Sequence, residues 1–183
     1  LFYNSTSVSE ITRVDEAWLK GKEDGAYLKS LGFGLNYAPV VDLGDEIWRC
    51  RSFPGDERNV SVLAGAYIQG LQQEGVLATA KHYPGKTLVV KDPHKNLVAA
   101  TIDDEDLYPY SYLFAYSNIS AVMVSHLIVS GAVNSEGKPS VVSAQVVGRV
   151  KGEFSGLIIS DEINMLGLKN FYKTREEMYI GVF

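Results

Sequence analysis

The sequence is poor in cysteine, in long apolar runs and in basic blocks, and each of these shortages excludes a class of protein. Only one of its 183 residues is cysteine, Cys50, so neither an internal disulfide nor a multi-cysteine metal site can form. No run of about 18 uncharged apolar residues occurs, so we expect no membrane-spanning helix. Basic blocks are also absent. With 17 Lys and Arg against 22 Asp and Glu, the net charge is −5, which makes the chain a poor candidate for binding nucleic-acid phosphates.

What is present is typical of a globular domain. Hydrophobic residues make up 46% and charged residues 21%, a balance that excludes a disordered chain. The length suits one domain of roughly 100–200 residues, so we expect residues 1–183 to form a single domain. It is short for a closed (β/α)8 barrel, which typically needs about 250 residues. No signal peptide is visible, and the compartment stays open between cytoplasmic and secreted.

Short apolar runs alternate with helical stretches along the chain. Helical periodicity predicts helices at about 11–31, 59–74, 103–116 and 143–154, and a further helix from about 174. Four apolar runs predict buried strands at 35–41, 76–82, 121–124 and 156–160. Continuous apolar strands that alternate with helices are typical of a parallel sheet covered by helices. The residues alone therefore predict an α/β fold and leave open whether it is Rossmann-like or a barrel.

Each of the four apolar runs ends in an ionisable side chain: Asp42, then Lys81 with His82, then His126, then Asp161. In parallel α/β folds the carboxyl ends of the strands meet at one edge, where ligand sites form. We therefore predict a site built from several strands. The alternative is that polar residues lie at strand ends because those ends are exposed. We predict no metal and no cofactor, since no i, i+4 histidine pair lies on a helix and no nucleotide-binding glycine motif occurs.

Six segments that follow one another in a fixed order carry a specific resemblance. They are LGFGLNYAPVVD (31–42), RSFPGD (51–56), AGAYIQGLQQEGV (64–76), ATAKHYPG (78–85) with DPH after it (92–94), AVMVSH (121–126) and SDEINM (160–165). Together they resemble glycoside hydrolase family 3, and more narrowly its bacterial β-N-acetylglucosaminidases, which implies a role in cell wall recycling. The resemblance implies a partial (β/α)8 TIM-type barrel, with about four βα units and the helices outside. It also implies cleavage of terminal β-linked N-acetylglucosamine with retention of configuration.

The same resemblance implies the catalytic residues. Asp161 is expected to be the nucleophile that forms a covalent glycosyl-enzyme, with the neighbouring Glu162 as its rival. A purely structural alternative is that Asp161 caps a helix. Asp92 and His94 resemble the acid/base pair of this branch, in which His94 exchanges the proton and Asp92 is its dyad partner. A histidine can do so because its ordinary pKa lies near 6.5.

Five further residues resemble the substrate-binding set of the family: Arg51, Lys81, His82, His126 and Met165. Polar donors at strand ends can hold a neutral polyol in one orientation. The chain departs from the family at Lys86 and Thr87, where His and Gly are usual. It also lacks the Asp-Gln-Glu-Gly-Gly-Arg segment, whose Asp binds the sugar in the family.

The expected partner is a carbohydrate, either a glycan that contains N-acetylglucosamine or a muropeptide. Three other functions stay open: a β-glucosidase of the same family, a glycoside phosphorylase, and a non-catalytic half-barrel remnant or binding module. Asp92 and His94 argue against the β-glucosidases, which usually take their acid from a second domain. An incomplete barrel leaves sheet edges unpaired, so we expect self-association or poor stability of the isolated chain.

Overall fold

The computed structural model describes residues 6–87 and 97–182. Within these ranges the helices are α1 (Val14–Ser30), α2 (Glu57–Gln73), α3 (Asp104–Tyr116), α4 (Ala144–Glu153), α5 (Leu166–Lys169) and α6 (Arg175–Val182). The strands are β1 (Leu35–Asn36), β2 (Leu77–Tyr83), β3 (Ala99–Ile102), β4 (Ala121–Val124), β5 (Ile128–Gly131) and β6 (Leu157–Ser160). Among the described helices, none combines the length and apolar character needed to cross a bilayer.

Four parallel strands form the central sheet in the order β1-β2-β4-β6. Ala80 of β2 lies opposite Val122 of β4, which in turn lies opposite Ile158 of β6. A helix follows each of the first three strands, and successive helices pack on one another, α1 on α2 and α2 on α3. The strand order follows the chain without the reversal that defines a Rossmann-like sheet. The prediction of a parallel α/β fold with part of a barrel is therefore confirmed.

A second, two-stranded sheet was not predicted from the sequence. In it β3 and β5 pair in parallel, with Ala99 opposite Ile128 and Ile102 opposite Gly131. Each strand has four residues, and exposed positions occur in both. Such short segments carry no continuous apolar run, so periodicity cannot identify them. The small sheet fixes the path by which the chain enters α3.

The core is built from α2 and the central strands. Val60, Ile68, Leu71, Ala80 and Val122 are fully buried. Each large apolar side chain buried in this way stabilises the fold by roughly 1.5–3 kcal/mol relative to leaving it exposed.

The helices begin and end at residues that cap them. The Asp56 and Ser143 side chains accept backbone N–H groups in the first turns of α2 and α4, and Gly75 follows α2 with a positive φ of 77°.

The contact between α1 and α2 depends on glycines rather than on large apolar residues. Val14 and Leu19 on α1 are 51% and 49% exposed, whereas Gly21 is buried. A Cβ at Gly21 would lie 2.1 Å from the carbonyl oxygen of Tyr67, and a Cβ at Gly70 would lie 2.1 Å from that of Trp18. The two backbones therefore approach closely, and any side chain at these positions would push the helices apart.

Candidate active site

The carboxyl ends of the central strands lie side by side. Val40 forms a parallel bridge with Lys81, and Val124 lies opposite Tyr83 on one side and Ser160 on the other. The ionisable side chains that follow these positions therefore share one edge of the sheet. They are Asp42, His82, His126 and Asp161. The structure thus brings together the strand-end residues that the sequence singled out.

One end of this edge is a buried cluster of Asp42, His82 and Thr87. The Nδ1 atom of His82 lies 2.9 Å from Oδ2 of Asp42, and the backbone N–H of His82 donates to Oδ1 of Asp42 at 3.3 Å. The Thr87 hydroxyl donates to Oδ2 of Asp42 and lies 2.9 Å from Nδ1 of His82. All three residues are at most 5% exposed. The buried carboxylate therefore has three donors around it, as a buried polar group requires.

Lys81 and Arg51 supply positive charge next to this cluster. Burial lowers the pKa of the half-buried Lys81, and the charge of Arg51 lowers it further. The carboxylates of Asp161 and Asp42 act in the opposite direction. The guanidinium of Arg51 also lies over the Trp48 ring, 4.8 Å from its centroid. Two cations and two carboxylates are thus within electrostatic reach of one another at this edge.

The turn that carries Arg51 is organised by Asp45, a residue that was not predicted to belong to the site. The Asp45 carboxylate accepts the backbone N–H groups of Trp48, Cys50 and Arg51 at 2.8–3.0 Å. Burial alone would raise the pKa of Asp45, but these backbone hydrogen bonds outweigh it and lower that pKa. An Asp followed by a tight turn was the available sequence signal.

Asp161 lies at the opposite end of the edge, directly after β6, and is half-buried. Its backbone N–H donates to the carbonyl of Val124 at 3.0 Å, and its Oδ1 accepts the N–H of Glu162 at 2.8 Å. The next helix, α5, begins at Leu166 with Met165 as its N-cap, so Asp161 does not cap a helix. The alternative prediction, that Asp161 caps a helix, is therefore wrong.

Glu162, the rival carboxylate, has a different environment. It is exposed, and its side chain accepts the backbone N–H of Asn164 at 2.8 Å. Hydrogen bonds from Asn164 lower the pKa of Glu162. The side chain is therefore occupied in a local turn on the protein surface, while Asp161 lies within electrostatic reach of Lys81.

His126 and Met165 occupy the buried floor between the two ends. The Nε2 atom of His126 lies 3.0 Å from the carbonyl oxygen of Glu162, which requires a proton on Nε2. Its Nδ1 atom is buried and has no hydrogen-bond partner in residues 6–87 and 97–182. Burial lowers the pKa of His126 against the opposing effects of the Glu162 carbonyl and the Asp161 charge. Met165 is 4% exposed.

Asp92 and His94 lie outside the described residues, so their pairing stays a prediction. Lys86, close to that segment, is anchored elsewhere. Its ammonium donates to the carbonyl of Thr101 at 2.8 Å and to Asp103 at 2.6 Å. Across the described ranges, no three His, Cys, Asp or Glu side chains are grouped closely enough to hold a metal ion.

Parallel strands in barrel order, with ionisable side chains at their carboxyl ends, place this chain in the class of (β/α) barrel folds. A sequence profile described as the glycosyl hydrolase family 3 N terminal domain matches residues 4–181. The chain therefore belongs to glycoside hydrolase family 3, as its motifs predicted.

Individual relatives agree with this assignment. A β-hexosaminidase of Actinobacillus succinogenes is 34% identical over 154 residues, which cover 80% of this chain and 44% of that protein. The structure of a glycoside hydrolase family 3 β-N-acetylglucosaminidase from Paenibacillus sp. str. FPU-7 superposes with a TM-score of 0.86 at 26% identity, covering 99% of this chain and 38% of that one. For LpqI of M tuberculosis the TM-score is 0.85 at 28% identity, with coverages of 97% and 56%. The chain spans about half the length of the curated relatives it matches.

Proposed function

We propose that residues 1–183 carry catalytic residues of a retaining glycoside hydrolase that releases terminal β-linked N-acetylglucosamine. The observation that carries the proposal is the position of Asp161. It is a half-buried carboxylate at the end of a barrel strand, beside the lysine and the histidines of the neighbouring strands. The names of the relatives support N-acetylhexosamine as the sugar.

In the first step the Asp161 carboxylate attacks the anomeric carbon, and the bond from that carbon to the leaving oxygen breaks. His94 gives its proton to the leaving oxygen, and Asp92 stabilises the histidine cation. The product is a glycosyl ester of Asp161. Water then attacks the same carbon, His94 takes the proton from the water, and the carboxylate of Asp161 is regenerated.

The surroundings of Asp161 support its role over that of Glu162. The N–H of Glu162 holds Oδ1 of Asp161, which limits rotation of the carboxylate. Oδ2 has no hydrogen-bond partner within the described part of the chain, so it is the atom we assign to the attack. The positive charge of Lys81 nearby attracts the Asp161 carboxylate.

The remaining residues of the site hold the sugar. Arg51, Lys81 and His82 face hydroxyl or acetamide oxygens, and His126 with Met165 forms the floor. We propose a glycan that contains N-acetylglucosamine, or a muropeptide, as the natural substrate. A role in bacterial cell wall recycling follows from the second of these.

The test is to trap the covalent intermediate. The chain is incubated with a chromogenic β-N-acetylglucosaminide and, separately, with a fluorinated N-acetylglucosaminyl donor that forms the intermediate quickly and releases it slowly. We expect chromophore release, and a mass increase of one glycosyl unit on the peptide that contains Asp161. Asp161→Asn should abolish both, and Glu162→Gln should keep both.

Three other results would change the proposal. Equal turnover by the wild type and by Asp161→Asn would exclude Asp161 as the nucleophile. A label on a different peptide would reassign the nucleophile. Binding of N-acetylglucosamine without any turnover or label would instead make the chain a binding module.

We also propose that the isolated chain associates with itself through β6. This strand is the last in the order of the described sheet, and Leu157 on it is 55% exposed. An unpaired strand edge with an apolar surface is a template for pairing with another chain. Analytical ultracentrifugation should show a concentration-dependent dimer that Leu157→Lys weakens. A monomer at all protein concentrations would contradict the proposal.

A further inference from the structure

The hydrogen bonds of the Asp42 cluster determine which nitrogen of His82 carries the proton. Oδ2 of Asp42 faces both Nδ1 of His82 and the Thr87 hydroxyl. An ionised carboxylate only accepts hydrogen bonds, so both neighbours must donate to it. Since the hydroxyl has one proton and gives it to Asp42, Nδ1 of His82 must carry its own.

The opposite tautomer would be unfavourable in this place. A neutral His82 with its proton on Nε2 would direct the Nδ1 lone pair at Oδ2, only 2.9 Å away. Two facing lone pairs in a buried site repel each other, and the low local dielectric strengthens that repulsion. The side chain of Asp42 is fully buried and that of His82 is 7% exposed, so water cannot relieve it.

In the neutral form of the ring with its proton on Nδ1, Nε2 is an acceptor on the other side. Nε2 lies across the ring from Nδ1 and has no hydrogen-bond partner among the described residues. Lys81, the preceding residue, is a donor only. A sugar hydroxyl both donates and accepts, so an adjacent acceptor and donor match a pair of hydroxyl groups on one ring face.

We propose that Asp42 and Thr87 are positioning residues that hold His82 in its Nδ1–H tautomer, so that Nε2 accepts a hydrogen bond from a sugar hydroxyl. The sugar as ligand rests on the proposed function, whereas the tautomer rests on the hydrogen bonds alone. The two residues act differently: Asp42 accepts the Nδ1 proton, and Thr87 donates to the same carboxylate oxygen and holds it against the ring.

The direct test is nitrogen-15 NMR of the histidine rings, because protonated and unprotonated ring nitrogens have well-separated shifts. The chain has three histidines, and His94→Gln and His126→Gln assign the His82 signals by elimination. We expect the wild type and Thr87→Ser to show a protonated Nδ1 and an unprotonated Nε2. In Asp42→Asn, whose side-chain amide can donate to Nδ1, the Nε2–H tautomer should become populated, whereas Thr87→Val keeps the carboxylate and should keep the proton on Nδ1.

Two NMR results would overturn the proposal: a wild-type His82 protonated on Nε2, or tautomer populations unchanged in Asp42→Asn. The wild-type spectrum keeps the test decisive even where Asp42→Asn fails to fold, since a proton on Nε2 of the wild type contradicts the proposal by itself. Because this measurement needs no substrate, it separates the tautomer from the proposed activity.

Kinetics on the chromogenic substrate test the consequence for the sugar. Asp42→Asn should lower kcat/KM about tenfold to a hundredfold, the usual range for the loss of a partner that orients a functional histidine. Thr87→Ser, which keeps the hydroxyl, should keep most of the wild-type value. If the tautomer changes in Asp42→Asn while kcat/KM stays the same, His82 does not accept from the substrate and the sugar-binding part of the proposal is wrong.

Discussion

The two ends of the candidate active-site edge are built on opposite principles. At the β2 end, Asp42, His82 and Thr87 are buried and bonded to one another. At the β6 end, Asp161 is half-buried with one hydrogen bond to its carboxylate, and Glu162 is exposed. Burial also falls along the sheet toward β6. All four residues of β4 are buried, whereas none of the four residues of the neighbouring β6 is.

This contrast separates positioning from reaction. A buried polar cluster is stable only when its members are paired, so it holds a rigid geometry that positions His82 rather than a group that reacts. The proposed nucleophile needs the reverse, an oxygen that is free to approach carbon. We therefore expect substitutions at the β2 end to affect stability and substrate binding, and those at the β6 end to affect turnover without loss of stability.

The largest expected effect is on activity, at the β6 end. Asp161→Asn should reduce kcat by about a thousandfold or more, because the amide is not a nucleophile. Its free energy of unfolding should stay within about 0.5 kcal/mol of the wild type, as for most partly exposed positions. Turnover assays and urea titrations of the same samples measure both. A large loss of stability would mean that Asp161 also supports the fold.

At the β2 end the expected loss is in stability. Asp42→Asn replaces an acceptor by an amide and leaves one of the three donors poorly paired in a buried site, which should lower the free energy of unfolding by about 3 kcal/mol. Asp56→Asn is the matched control, since Asp56 is an exposed N-cap where Asn serves equally well. Similar urea midpoints for the two variants would remove the distinction between the two ends.

The sequence predicted the parts of this arrangement that depend on local pattern. Apolar runs located the four central strands, and the residues that end those runs do lie at one edge. The partners of these side chains were harder to predict. Asp42 and His82 are 40 positions apart, and their contact with Thr87 depends on how the chain turns after β2. No periodicity encodes that turn.

The helix α1 shows a second limit of pattern reasoning. Its apolar residues recur at a helical period, and the helix forms, but Val14 and Leu19 are half-exposed while Gly21 faces α2. Burial there follows from how closely two backbones can approach, which is a property of the pair of helices. Hydrophobic spacing within one helix cannot report it.

A pair of neighbouring strands tests the same contrast within the sheet. Val122 in β4 is fully buried, whereas Leu157 in β6 is 55% exposed. Val122→Ala should cost about 2 kcal/mol of unfolding free energy, and Leu157→Ala about 0.5 kcal/mol, although leucine loses more atoms. Urea unfolding of both variants measures the difference. Equal losses would mean that β6 is covered by other protein, such as a second copy of the chain.

The smallest expected effect concerns His126, which lies between the two ends. Burial lowers the pKa of His126 in the folded state below the ordinary value near 6.5. Between the two values the unfolded chain binds more protons, so stability rises with pH. The neutral His126 therefore makes its full contribution to the free energy of unfolding above about pH 6.5. That contribution is lost as the pH falls from there through the pKa of His126 in the folded state.

His126→Gln should remove this dependence, because glutamine does not titrate and its amide can still donate to the Glu162 carbonyl. The measurement is the difference between urea midpoints at about pH 7.5 and about pH 5.5 for each protein, which cancels every group the two share. The wild type should lose more stability on acidification than the variant. An equal loss would mean that His126 remains accessible to water, and the floor of the site would then belong with the open β6 end rather than with the buried β2 cluster.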